Sequence, residues 1–160
     1  MVQLFLFLHV MGAIVAFGPS FTFPLIGSAS AKEPAHAHFG AVVSEIIERR
    51  LVLPFALLQG VTGVVLIVLL GINPAAEGFR WLGVGIVLYL IAIGYSVAIQ
   101  SRRAARMVEL TATPPPPPAP GAPAGPPPEI AATAKGLRQG GMILSVLLVL
   151  IVICMVAKPF

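Results

Sequence analysis

Charge is what this sequence has least of. Only 10% of its 160 residues are Asp, Glu, Lys or Arg, and Asp is missing altogether. A soluble domain carries about 25% charge because its surface has to stay hydrated, so an ordinary water-borne globule is excluded. A single cysteine excludes an intrachain disulfide framework and any cysteine-rich metal site. The net charge of +4 is the balance of ten basic and six acidic side chains, too sparse for a phosphate-binding face, and no nucleic-acid partner is expected. What is abundant is apolar: 58% of the residues belong to the set AVILMFWYC, and the mean hydropathy is +0.97. The expected surroundings are a lipid bilayer.

Four stretches lack any charged residue: Met1 to Ala31, Leu51 to Ala76, Trp81 to Ser101 and Gln139 to Ala157. A helix needs roughly 20 mostly apolar residues to cross the hydrocarbon core. Backbone polar groups cannot stay unpaired in lipid, and stretches such as LVLPFALL show none of the alternation of a barrel strand. The fold class expected is an all-α integral membrane four-helix bundle in one domain, with spans at about 2–26, 51–72, 80–101 and 139–157.

Eight of the ten basic residues fall between the first and second spans (Lys32, Arg49, Arg50) or between the third and fourth (Arg102, Arg103, Arg106, Lys135, Arg138). Arg80 and Lys158 alone fall on the other side. This asymmetry predicts cytoplasmic loops at those two connections and both termini outside, in a bacterial plasma membrane. Ala29-Ser30-Ala31 has the small residues of a signal-peptidase site. No basic residue opens the preceding apolar stretch, though, and it is longer than a signal core, so the first span is read as retained.

Residues 34–50 read as an amphipathic helix at the cytoplasmic interface, with Phe39, Val42, Val43, Ile46 and Ile47 on one face and a weak Glu45–Arg49 pair. Pro19 and Pro24 predict a kink or an early end near Gly18 in the first span. The third span is expected to run on as helix to about Leu110. Residues 111–128 form a proline-rich linker: ten of the fifteen residues from 114 to 128 are proline, favouring polyproline II. Its Pro115/Pro118 and Pro120/Pro123 spacings match a PxxP ligand, a pattern that such spacers also produce by chance. After it, Glu129 opens a short helix ending at Lys135 and Arg138.

Ionisable groups at membrane depth are functional candidates, and His9 is the one imidazole there, about 10 Å from the start of its helix at 1.5 Å per residue. His9 shares a face with Gly12, Ala13, Ala16 and Ser20, small residues that let a neighbouring helix approach. Tyr89 and Thr62 fall at a similar depth, with Gln59 nearer the middle, which predicts a polar layer of His9, Gln59, Thr62 and Tyr89. Gly12, Ala16, Gly63, Gly85 and Ala92 are the expected helix-packing positions. As a neutral imidazole, His9 could also serve as an axial haem ligand, through a dimer or an open coordination position, since no second imidazole lies at that depth. His36 and His38, two apart, share a metal only if their segment is extended. Cys154 reads as a small apolar filler. No carboxylate pair lies within a span, and no phosphate loop or redox CxxC occurs, so no catalytic residue is nominated.

The segments LFLHVMGAIVAFGPSFTFPLIG, ERRLVLPFALLQGVTG, WLGVGIVLYLIAIG and GGMILSVLLVLIVICMVAKP resemble a bacterial family of predicted integral membrane proteins of unknown function, over nearly the whole chain. The first-span pattern His-Val-x-Gly-Ala-Ile is also similar to copper-resistance D-type and protoporphyrinogen-oxidase J-type membrane proteins. That similarity implies a transmembrane His as haem ligand together with a transmembrane Lys. His9 matches the first; no Lys lies in any span. The expected function is that of an accessory or scaffolding subunit associating with other membrane proteins or with itself. The alternative is a haem b or metal-handling redox protein centred on His9.

Overall fold

The structure is a computed structural model that describes residues 1–113 and 125–159. Among these residues it is mostly helical, with no strand. Four continuous helical stretches are long and apolar enough to cross a membrane: Val2–Lys32, Ala37–Leu69, Glu77–Thr111 and Pro128–Ala157. They hold 31, 33, 35 and 30 residues, hence about 45–53 Å at 1.5 Å per residue, against a hydrocarbon core of about 30 Å. The surplus lies at the end where Lys32, Arg49, Arg50, Arg102, Arg103, Arg106, Lys135 and Arg138 gather, hereafter the basic end. The opposite, termini end carries Met1, the connection 70–76 and the last turn of the chain.

The first stretch comprises α1 (Val2–Phe17), a 3-10 turn over Gly18–Phe21, and α2 (Phe23–Lys32). Pro19 lies in that turn and Pro24 in the first turn of α2, where a missing N–H is least disruptive. The helix thus changes its winding at Gly18 but does not end there. The second stretch comprises α3 (Ala37–Ile47), a π-helical turn over Glu48–Val52, and α4 (Leu53–Leu69). Pro54 offers no N–H to the carbonyl of Arg50, and the wider turn just before it accommodates that gap.

Residues 37–52 are therefore not a separate helix; they run without a break into α4. Their apolar face is also divided. Phe39 is 69% exposed and Ile46 44%, whereas Gly40 packs on Ser30 of α2 and Glu48 is buried. The close contacts of this segment are thus made by small and polar residues rather than by its large apolar ones.

The third stretch comprises α5 (Arg80–Tyr95), a second π-helical turn over Ser96–Gln100, and α6 (Ser101–Thr111). The fourth is α7 (Pro128–Ala157), unbroken from Glu129 through Arg138 into the span rather than a short helix followed by another. The proline-rich linker, with its PxxP spacings, lies largely outside the described residues.

Two antiparallel hairpins make up the bundle: α1 lies along α4 with α2 along α3, and α7 lies along both α5 and α6. Between the hairpins, close backbone approach is found at the basic end, where α3 meets α6. Farther along, the Tyr89 side chain spans the gap, donating to the Ala56 carbonyl at 2.9 Å. At the termini end, Lys158 lies 5.1 Å from the Trp81 ring centroid, and Arg80 pairs with Glu77 at 3.3 Å.

Candidate functional site

The small-residue face of α1 is turned onto α4. Ala16 is 0% exposed, and a Cβ added to Gly12 would stand 3.0 Å from Gln59 Oε1 and 3.7 Å from the Phe55 carbonyl oxygen. Gly63 gives the reciprocal opening on α4, where an added Cβ would stand 3.1 Å from His9 Cε1. These absent side chains leave room for the His9 imidazole and the Gln59 amide between the two helices.

Both nitrogens of His9 are engaged there. Gln59 Nε2 lies 3.0 Å from His9 Nε2, and His9 Nδ1 lies 3.0 Å from Thr62 Oγ1. Thr62, 2% exposed, turns its hydroxyl toward the Leu58 carbonyl at 2.8 Å. With the amide in this orientation only one proton arrangement satisfies all three bonds. The Gln59 amide donates to Nε2, Nδ1–H donates to Thr62, and Thr62 donates to the Leu58 carbonyl. The imidazole is neutral in this chain of bonds, and the chain ends on main chain rather than on a carboxylate or water path. Gln59 Oε1 is left buried without a hydrogen-bond partner among the described residues, facing the notch at Gly12.

Tyr89 is not joined to His9. Its hydroxyl lies against Ala56 and Gly60, on a neighbouring face of α4 from the one that holds Gln59, Thr62 and Gly63. The four polar residues thus meet around α4 as a triad and a separate bridge: the triad fixes α1 to α4, and Tyr89 fixes α5 to α4. Gly85 faces a third direction, toward Met155 and Cys154 of α7, and Ala92 is half-buried on α5. Cys154 is buried in that same contact. His36 pairs with Glu33 at 2.8 Å while His38 faces Thr111 at 3.2 Å, so the two imidazoles serve different partners. No group of three or more His, Cys, Asp or Glu is placed to hold a metal ion among the described residues.

The haem role implied for His9 does not fit this arrangement. Axial ligation needs an imidazole lone pair directed at iron, and here both ring nitrogens lie 3.0 Å from side-chain partners, Nε2 from Gln59 and Nδ1 from Thr62.

A second polar cluster, at the basic end, has no counterpart in the sequence reading. Glu48 is 8% exposed, and its Oε1 accepts from Ser101 Oγ at 2.8 Å, tying one π-helical turn to the edge of the other. Gln100 donates to the Leu137 carbonyl at 2.9 Å, and Arg103 donates to the Gly136 carbonyl at 3.1 Å and to Tyr95 Oη at 3.3 Å. The available signal was a mismatch: Glu48 lies on the same side of its helix as Gly40 and Ser44, a small-residue face rather than a solvated one.

A model of the family described as predicted integral membrane protein (DUF2269) matches residues 3–159. The chain belongs to this family. No curated protein and no solved structure matches it. As a DUF2269 member with four apolar helices of spanning length, it is a multi-pass integral membrane protein embedded in a lipid bilayer.

Proposed function

We propose that this DUF2269 protein is a non-catalytic accessory subunit of a bacterial plasma membrane, with both termini outside, that associates laterally with another membrane protein or a second copy of itself. The observation that carries this reading is a contrast between filled and open notches. Inside the bundle, Gly12, Gly63, Gly85 and Gly140 are each met by a side chain from a neighbouring helix. On its exterior, Gly27 and Gly94 are exposed, and a Cβ at either would meet nothing within 4 Å. Gly94 is followed four residues later by exposed Ala98, the small-xxx-small spacing at which a foreign helix can come close enough for dispersion contacts. The neutral, closed hydrogen-bond chain at His9 supports a packing role for that triad over a reactive one.

The test is disulfide trapping in native membranes, with Ala98→Cys in a Cys154→Ser background. Association predicts one discrete cross-linked species that Gly94→Leu abolishes. A chain that stays monomeric under oxidation, and elutes as one copy with no companion after gentle solubilisation, would refute the proposal.

A further inference from the structure

At the basic end a cavity of about 250 Å³ opens between the two hairpins, lined by Glu45, Glu48, Arg49, Leu53, Ser101, Arg102 and Ala105. Its floor is the carboxylate of Glu48, more than nine-tenths buried. Oε1 of that carboxylate accepts from Ser101, while Oε2 accepts no hydrogen bond among the described residues. Its rim holds two guanidinium groups of different standing: Arg49 lies 3.5 Å from Glu45, and Arg102 has no ion pair among the described residues. The cavity sits where the charge-free runs beginning at Leu51 and ending at Ser101 stop, so it lies at the level of lipid headgroups in one leaflet. It is smaller than the clefts that engulf whole ligands, which suits a headgroup whose acyl chains stay in the bilayer.

We propose that this cavity binds the phosphoethanolamine headgroup of an aminophospholipid, with the ammonium on Glu48 and the phosphate on Arg102. A buried carboxylate with a free oxygen favours a cation that can donate N–H bonds, and a purely anionic headgroup, which could use Arg102, brings no cation to Glu48. A quaternary ammonium headgroup supplies the charge but no N–H. Only a headgroup with a protonated amine and a phosphate answers both ends of the site. Leu53 at the cavity wall commits the site to a lipid over a free metabolite, since it continues the apolar surface of α4.

The experiment is native mass spectrometry of the full chain in detergent, with phosphatidylethanolamine, phosphatidylcholine and phosphatidylglycerol of equal acyl length offered at equal concentration. Phosphatidylethanolamine is expected to be retained about tenfold better than either competitor. Glu48→Gln, which preserves the acceptor for Ser101, reduces it to the level of phosphatidylcholine, while Arg102→Gln weakens phosphatidylethanolamine and phosphatidylglycerol alike. Soluble glycerophosphoethanolamine at the same concentration is expected not to compete. Equal retention of the three lipids by the unaltered chain, a preference for phosphatidylglycerol, an unchanged preference in a folded Glu48→Gln variant, or equal capture of the soluble headgroup would each overturn the proposal. The lipid ranking needs no variant, so a variant that fails to fold leaves the proposal open to refutation.

Discussion

The two polar clusters of this bundle solve opposite problems. In the apolar half, His9, Gln59 and Thr62 are joined by hydrogen bonds between uncharged side chains that end on the Leu58 carbonyl. At the basic end, Glu48, Ser101, Gln100 and Arg103 mix charged and neutral groups within reach of headgroups and water. The first cluster works within a hairpin, joining α1 to α4. The second extends across both hairpins, joining the turn before α4 to α6 and then α6 to α7. The comparison teaches that neutrality is a requirement of depth, while charge is tolerated where the helices outrun the hydrocarbon.

The sharpest way to break that comparison is to place the same carboxylate at a glycine in each half. Gly12→Glu drives a charge onto the unpartnered Gln59 Oε1 in a helix contact, and loss of monodisperse protein on gel filtration is expected. Gly136→Glu would build toward the Arg103 guanidinium, whose Nε and Cζ lie 3.2 and 3.3 Å from an added Cβ, and near-normal yield is expected. Equal yields from both would end the argument from depth.

A smaller effect separates the members of the triad. Thr62→Val leaves Nδ1–H of His9 without an acceptor and should lower stability by about 1–2 kcal/mol, read as a fall in melting temperature in detergent. His9→Leu keeps the chain folded, and adding Thr62→Val to it should cost less than Thr62→Val alone, because the orphaned donor has gone. Additive losses would show that the imidazole and hydroxyl act separately.

Smaller again is the link between hairpins. Ser101→Ala removes the hydroxyl that donates to Glu48 Oε1 and should leave the α1–α4 contact intact while loosening α3 from α6. Hydrogen exchange should rise at both π-helical turns and remain unchanged around Thr62. Smallest of all, Glu129→Gln removes an exposed partner of Arg106, and no measurable change in melting temperature is expected at physiological salt.

How much was legible beforehand differs by cluster. The existence and number of the helices followed from where charge is absent, because crossing lipid leaves few alternatives. The depth of His9, Thr62 and Gln59 could be counted from the ends of their runs at a fixed rise, and the structure brings those three side chains together. Which face of α4 each partner meets could not be counted, so Tyr89 ends on Ala56 and Gly60 instead of in the triad. The amphipathic face of residues 34–50 was legible as a pattern and differed in meaning. A period of 3.6 identifies an apolar side but not what it faces, and on that side Phe39 and Ile46 are exposed. The two π-helical turns had only Pro54 as a local signal.

By itself the sequence determined the solvent of this protein, the number of its spans and the end at which its cations gather, because the penalties for burying charge and unpaired backbone in hydrocarbon act on each segment alone. Only the tertiary structure decided that both nitrogens of His9 are committed, that α1 pairs with α4 and α5 with α7, and that Glu48 lies buried against Ser101. Those outcomes depend on rotations of whole helices about their axes. In lipid, the uniform apolar exterior leaves such rotations undecided until side chains from distant segments meet.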